Sequence, residues 1–234
     1  MKLFTVPNFM TLGNLLAGCM GIFAVFEGQL LLASILIGIA LILDFGDGFV
    51  ARLLNQSSPI GKELDSLADM VTFGVLPSIL LVHLLQEPLA VHVTETTKYI
   101  GYIPLLLALS SALRLAKFNI DTRQSDQFIG VPTPANGLVI ASLPLISIYQ
   151  PEYAHYLLQP EILIGYTLIM SYLLIAELPL LAFKFKNFQW KGNQIRYVFL
   201  IFSVILIFSL GFVSFPILII SYIFVSVFDS AFSK

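Results

Sequence analysis

Apolar runs long enough to cross a bilayer recur along this chain with only short polar connectors between them, and that feature leaves a bundle of helices in lipid as the architecture available to it. A hydrocarbon core about 30 Å thick takes about 20 helical residues. Runs near that length cover Met10 to Phe26, Leu30 to Leu54, Pro59 to Leu85, Tyr99 to Asn119, Ala135 to Tyr149, Ile162 to Phe183, Tyr197 to Leu210 and Phe212 to Phe228, the fifth and seventh being short. The expected fold is therefore all-α: a polytopic transmembrane helical bundle of about eight spans, forming one integral membrane domain over residues 1–234. Charged residues make up 11% of the chain and the mean hydropathy is +0.91, whereas a soluble domain carries about a quarter charged residues.

Charge placement sets the expected orientation. Lys2, Arg52, Lys62, Arg114, Lys117, Arg123, Lys184, Lys186, Lys191, Arg196 and Lys234 fall on one side, and Lys98 alone on the other, a split of 11 to 1. By the positive-inside rule both termini and the loops joining spans 2 to 3, 4 to 5 and 6 to 7 face the cytoplasm. A six-span count would need the last two runs to be one broken helix or an interfacial segment. Cys19 is the only cysteine, so the chain can form neither an internal disulfide nor a thiolate metal cluster. The stretch from Leu15 to Cys19 resembles a lipoprotein cleavage box, but Pro7, Asn8, Thr11 and Asn14 make a poor signal core, and the segment reads as the first span.

Span 2 runs from apolar residues straight into Asp44 and Asp47, which share a helix face at i, i+3. Span 3 opens at Ser57-Ser58-Pro59, an N-cap followed by proline in the first turn, and carries Asp65 and Asp69 at i, i+4. At 1.5 Å per residue, Leu30 to Asp44 climbs about 21 Å and Leu85 back to Asp69 about 24 Å, so the two pairs meet at similar depth. Antiparallel neighbours would set Asp44 opposite Asp69 and Asp47 opposite Asp65. Carboxylates about 5 Å apart at an effective dielectric near 20 repel by about 3 kcal/mol per pair. Arg52 supplies one counter-charge and cannot balance four, so either some acids are protonated or divalent cations bind. With no histidine or cysteine nearby, the donor set suits Mg2+ or Mn2+, with Ca2+ as a competing occupant. Gly48, Ala51 and Gly61 either leave room for a ligand or serve close helix packing.

The pattern Asp44-x2-Asp47-Gly48-x2-Ala51-Arg52-x8-Gly61-x3-Asp65-x3-Asp69 resembles the whole signature of the CDP-alcohol phosphatidyltransferases. Three further stretches are similar to the membrane-embedded members that use serine: Pro7-Asn8-x2-Thr11-Leu12-x-Asn14-Leu15-x2-Gly18, Arg114-Leu115-Ala116-Lys117-Phe118-Asn119, and Phe128-x-Gly130-Val131-Pro132-Thr133-Pro134-Ala135. That resemblance implies transfer of a phosphatidyl group from CDP-diacylglycerol to L-serine, releasing CMP. It also implies Asp44, Asp47 and Asp65 as ligands of two divalent cations, Asp69 as a ligand or the general base, and a homodimer. Arg52 becomes a phosphate clamp, with Gly48, Ala51 and Gly61 lining the cytidine site. Asn8, Thr11 and Asn14, at i, i+3, i+6, are neutral donors for nucleotide or phosphates, or else polar glue between spans.

Serine carries a carboxylate, for which the best placed bases are Arg114, Lys117 and Arg123; each also serves as a positive-inside anchor. Phe128 to Pro134 reads as a proline-bracketed loop suited to an acceptor lid. His83, His92 and His155 read as interfacial, and Glu177, about 10 Å inside the end of span 6, as pairing with a base or snorkelling. The loop from Lys184 to Arg196, with Trp190, is expected to touch anionic lipid headgroups. No nucleic-acid partner is expected. The rival expectations are a relative that uses glycerol 3-phosphate, inositol phosphate or choline, and a divalent-cation transporter. The transporter would need ionisable residues along a path to the outer face, and spans 2 and 3 offer only His83 beyond the aspartates.

Overall fold

A computed structural model describes residues 3–89, 99–121, 128–181, 189–190 and 193–232. Each of the eight apolar runs contains a helix, but their lengths differ from the reading above. Helix α1 (Val6–Phe26) is capped by Thr5, whose side chain accepts from the Asn8 amide at 3.4 Å. It turns through Gly28, at φ 73°, into α2 (Leu30–Leu53). Small residues let these two axes close up: Ala17, Gly21 and Ala24 on α1 and Ala33 and Ala40 on α2 are all buried. Next, α3 (Pro59–Asp69) starts at Ser58, which caps the Gly61 amide at 3.1 Å. A π-helical segment, Met70–Val75, then carries the chain into α4 (Leu76–Leu89), so that Pro59–Leu89 is one helical stretch of 31 residues.

That π segment is seated among glycines from its neighbours. A Cβ on Gly18 would lie 2.4 Å from Thr72 Oγ1, one on Gly21 2.4 Å from Leu76, and one on Gly137 3.1 Å from Phe73. A π turn is poorly bonded and persists where surroundings enforce it. Gly18→Ala is expected to overpack this seat and cost about 1–3 kcal/mol, read as a lower apparent melting temperature in detergent. An unchanged melting temperature would show that the π segment moves aside freely.

Beyond it come α5 (Leu105–Ile120), α6 (Thr133–Tyr149), the short α7 (Pro151–Leu157) and α8 (Pro160–Ile175), the last two meeting at a bend of 67°. The sixth run was expected to stay helical to Phe183. It stops at Ile175 because the following residues leave the helix for a two-residue ladder, β2 (Pro179–Leu180) against β1 (Phe128–Ile129). Gly130, at φ 78°, and Val131 then donate their amides to Leu178 O and Leu173 O at 2.9 and 3.0 Å. The second of these bonds occupies a carbonyl in the last turn of α8 that would otherwise be left open, and a Cβ on Gly130 would stand 2.6 Å from Leu174 O. The loop expected to act as a lid is thus stitched to the end of α8.

The last two helices are α9 (Gln194–Leu210) and α10 (Ser214–Phe232), separated by Gly211 at φ 57° and a 3-10 turn. Gln150 caps the break, donating to Leu210 O at 2.8 Å and accepting from the Val213 amide at 3.1 Å. By helical continuity Gln194–Ser230 counts as one 37-residue stretch. Side-chain geometry argues against a straight rod, because the Phe199 and Tyr222 rings lie 6.1 Å apart. A continuous helix would separate them by about 35 Å. The chain therefore doubles back at Gly211.

Four helical stretches are long and apolar enough to cross a membrane, or five if the bent α7 and α8 cross together. The outer surface carries large apolar side chains such as Phe23, Ile42, Phe45, Leu109, Ile169 and Phe208, while Asn14, Asp47, Asp69, Arg114 and Asn136 lie inside. Polar groups within and an apolar belt without is the arrangement lipid favours.

Candidate active site

Two carboxylates leave the C-terminal end of α2 and two leave α3, with Asn55 in the left-handed region (φ 52°) turning the chain between them. Oxygens of Asp44, Asp47 and Asp65 lie within 4.8 Å of one another. Asp69 joins the group through Asp44, whose carboxyl is within hydrogen-bonding reach of both Asp65 and Asp69. Asp47 and Asp69 are buried, the other two half-buried. Among the described residues no ion pair joins a base to any of the four acids.

Helix α1 holds this cluster from one side. Thr11 Oγ1 donates to Asp47 Oδ2, and Asn14 Nδ2 donates to Asp69 Oδ1 at 3.3 Å. Thr72, on the π segment, donates to the Asn14 carbonyl at 3.2 Å, so the same contact that needs Gly18 also fixes Asn14. Thr11 and Asn14 thus spend their donors on carboxylates, while Asn8 turns its amide to Leu3 O at 2.8 Å. Asp65 Oδ1 and Asn14 Oδ1 are buried acceptors without partners. Unpartnered oxygens beside clustered carboxylates, with no softer ligand, suit a hard divalent cation.

Beside the acids lies a cavity of about 220 Å3, walled by Asn8, Thr11, Asp47, Gly48, Ala51, Arg52, Ser58, Gly61, Lys62 and Asp65 among others. The two glycines differ in meaning. A Cβ on Gly61 would press to 3.1 Å on Asn8 Oδ1, a packing constraint, whereas one on Gly48 would meet only Arg52 Nη1, at 3.6 Å. Packing does not require glycine at 48; its missing side chain widens the cavity. Arg52 lies across this glycine at the rim, exposed, where a phosphate could be clamped from the water side.

The three bases considered for an acceptor carboxylate are not brought together. Arg114 is buried, donates through Nη1 to Thr133 Oγ1 at 3.2 Å and sits 5.8 Å from the Phe118 ring centre. Lys117 points outward and pairs with Glu177 at 3.0 Å. Arg123 lies outside the described residues, as does His92. The sequence showed Asn119 only as the end of a motif and missed its contacts: its side chain meets Ser66 and its carbonyl accepts from Lys62 at 2.9 Å, tying α5 to α3. It also missed the pairing of Asn136 with Tyr166, at 2.6 Å. Neither was legible, because each partner lies more than 25 residues away.

Residues 4–176 match the family model for CDP-alcohol phosphatidyltransferase, and the chain belongs to that family. Within it, the chain is 32% identical over 225 residues to a CDP-diacylglycerol–serine O-phosphatidyltransferase of Helicobacter pylori strain J99, covering 90% of this chain and 83% of the relative. A Bacillus subtilis protein of the same name is 33% identical over 180 residues, covering 76% of this chain and 91% of the relative. One from Methanocaldococcus jannaschii is 34% identical over 139 residues, covering 59% and 60%.

Proposed function

We propose that this chain transfers the phosphatidyl group of CDP-diacylglycerol to L-serine, giving phosphatidylserine and CMP. The observation that carries this is the cluster of Asp44, Asp47 and Asp65, joined by Asp69 through Asp44, beside a cavity edged by Arg52 and Gly48. Asp44, Asp47 and Asp65 hold divalent cations, two of Mg2+ or Mn2+. When bound, these neutralise charge on the pyrophosphate and the departing CMP. Arg52, Gly48, Ala51, Gly61 and Asn8 receive the nucleotide end, while Thr11 and Asn14 keep Asp47 and Asp69 in place.

Asp69 takes the proton of the serine hydroxyl as its oxygen bonds to the phosphatidyl phosphorus. The bond from that phosphorus to the CMP oxygen breaks, and its electron pair leaves with CMP. Arg114 receives the serine carboxylate from the buried side of the cluster. In this reading the protein is a multi-pass component of the cell membrane with eight spans, both termini and the active site facing the cytoplasm. It works as a homodimer among membrane lipids.

Purified protein supplied with CDP-diacylglycerol, Mn2+ or Mg2+ and one alcohol at a time tests the reaction through CMP release. Serine is expected to support release. Release only with glycerol 3-phosphate, inositol phosphate or choline would replace serine as the acceptor, and no release with any of them would remove the transferase reading.

A further inference from the structure

Two fully buried nitrogen donors, one on α5 and one on α6, have nothing to bond. Arg114 Nε lacks a partner although Nη1 reaches Thr133, and Asn136 Nδ2 lacks one although its amide oxygen is engaged. Arg114 is 6% exposed and Asn136 1%. Burying such groups unpaired costs about 1–3 kcal/mol each, more where charge is involved, so a built-in excess of donors points to an absent acceptor.

The two belong to one place. Thr133 and Asn136 are three residues apart on α6 and so lie on the same face of that helix. Thr133 is the residue that Arg114 touches, which puts the Asn136 amide one turn along from the guanidinium. Ser111, three residues before Arg114 on α5, adds a buried hydroxyl that also lacks a partner. The orientation of the amide is fixed from α8. Tyr166 OH meets Asn136 Oδ1 at 2.6 Å, a separation typical of an O–H···O bond and short for N–H···O. The hydroxyl therefore meets the amide oxygen, and the amide nitrogen is left facing away from Tyr166.

We infer that Asn136, oriented by Tyr166, is the second arm of a carboxylate-binding site whose first arm is Arg114, and that this pair makes the chain select a carboxylate-bearing alcohol. A carboxylate brings acceptors only and matches a guanidinium and an amide nitrogen, both of which only donate. The inference rests on the transferase reading and assigns a residue which that reading leaves without a task. Tyr166 is a positioning residue here, since its hydroxyl acts through the amide it holds.

The test follows CMP release by the full chain in detergent micelles with CDP-diacylglycerol and Mn2+, against serine and against ethanolamine, which is serine without its carboxylate. No release by the unaltered protein with serine or any other alcohol refutes the transferase reading itself. With turnover in hand, Asn136→Ala combined with Tyr166→Phe removes both members of a bonded pair and leaves neither buried alone. It is expected to raise KM for serine about tenfold, the loss of one hydrogen bond to a charged group, with KM for CDP-diacylglycerol unchanged. The preference for serine over ethanolamine narrows by the same factor. Tyr166→Phe alone frees the amide to rotate and gives a smaller rise in the same KM; it carries the comparison if the double variant does not fold. An unchanged serine KM overturns the inference, as does a rise shared equally by CDP-diacylglycerol.

Discussion

Asp44→Asn is expected to lower CMP release by about a thousandfold, roughly 4 kcal/mol of transition-state stabilisation, while raising the thermal stability of the metal-free protein. Asp44 is the hub of the cluster: its oxygens group with those of Asp47 and Asp65, and its carboxyl also reaches Asp69. Asparagine keeps the shape and one oxygen but removes the charge on which cation binding depends. The two effects run in opposite directions for one reason. Without a cation the carboxylates must either repel, by about 3 kcal/mol per pair at contact, or take up protons, and no ion pair to a described base relieves them. Neutralising the hub removes part of that cost, worth a few degrees of apparent melting temperature at about 2–4 °C per kcal/mol for a chain of this size. Acids retained for helix packing would behave otherwise, stability and activity falling together. Unchanged turnover would remove Asp44 from the site.

The cluster was legible in the sequence because nothing tertiary is needed to find it. Asp44 and Asp47 share a face by helical period alone, as do Asp65 and Asp69, and the few residues between Leu53 and Pro59 force the two faces to meet. Hydropathy likewise located the long helices, since lipid imposes one rule over whole segments, but not the short α7 (Pro151–Leu157), which falls between two runs. Where local pattern and long-range contact compete, the sequence misleads. The stretch through Leu178, Leu180 and Leu181 is as apolar as a span, yet it pairs with Phe128 and Ile129 and leaves the helix. Nothing local marks Met70–Val75 as a π segment, because its seat is built by Gly18 on α1 and Gly137 on α6. The same holds for Thr11 and Asn14. Their spacing showed a polar edge on α1, but that this edge grips Asp47 and Asp69 depends on how three helices pack.

Removing divalent cations with EDTA is expected to abolish CMP release, Mg2+ or Mn2+ to restore it, and Ca2+ to occupy the site with little turnover. All the candidate ligands are oxygens, which admits all three ions, so discrimination rests on size and coordination number. Magnesium takes about six ligands at about 2.0–2.1 Å, and Ca2+ six to eight at about 2.3–2.6 Å. Asp47 and Asp69 are each held on α1 by a hydrogen bond, from Thr11 and from Asn14, which limits how far the carboxylates can spread around the larger ion. Binding can be read without turnover. A saturating cation should raise the apparent melting temperature by mass action, by the equivalent of about 2.7 kcal/mol at one hundred times the dissociation constant. The same addition should do much less for Asp44→Asn, which offers one carboxylate fewer. Calcium should stabilise the unaltered protein while supporting little release, separating occupancy from chemistry. Full activity in EDTA, or a melting temperature indifferent to all three ions, would mean that the four acids are not a cation site.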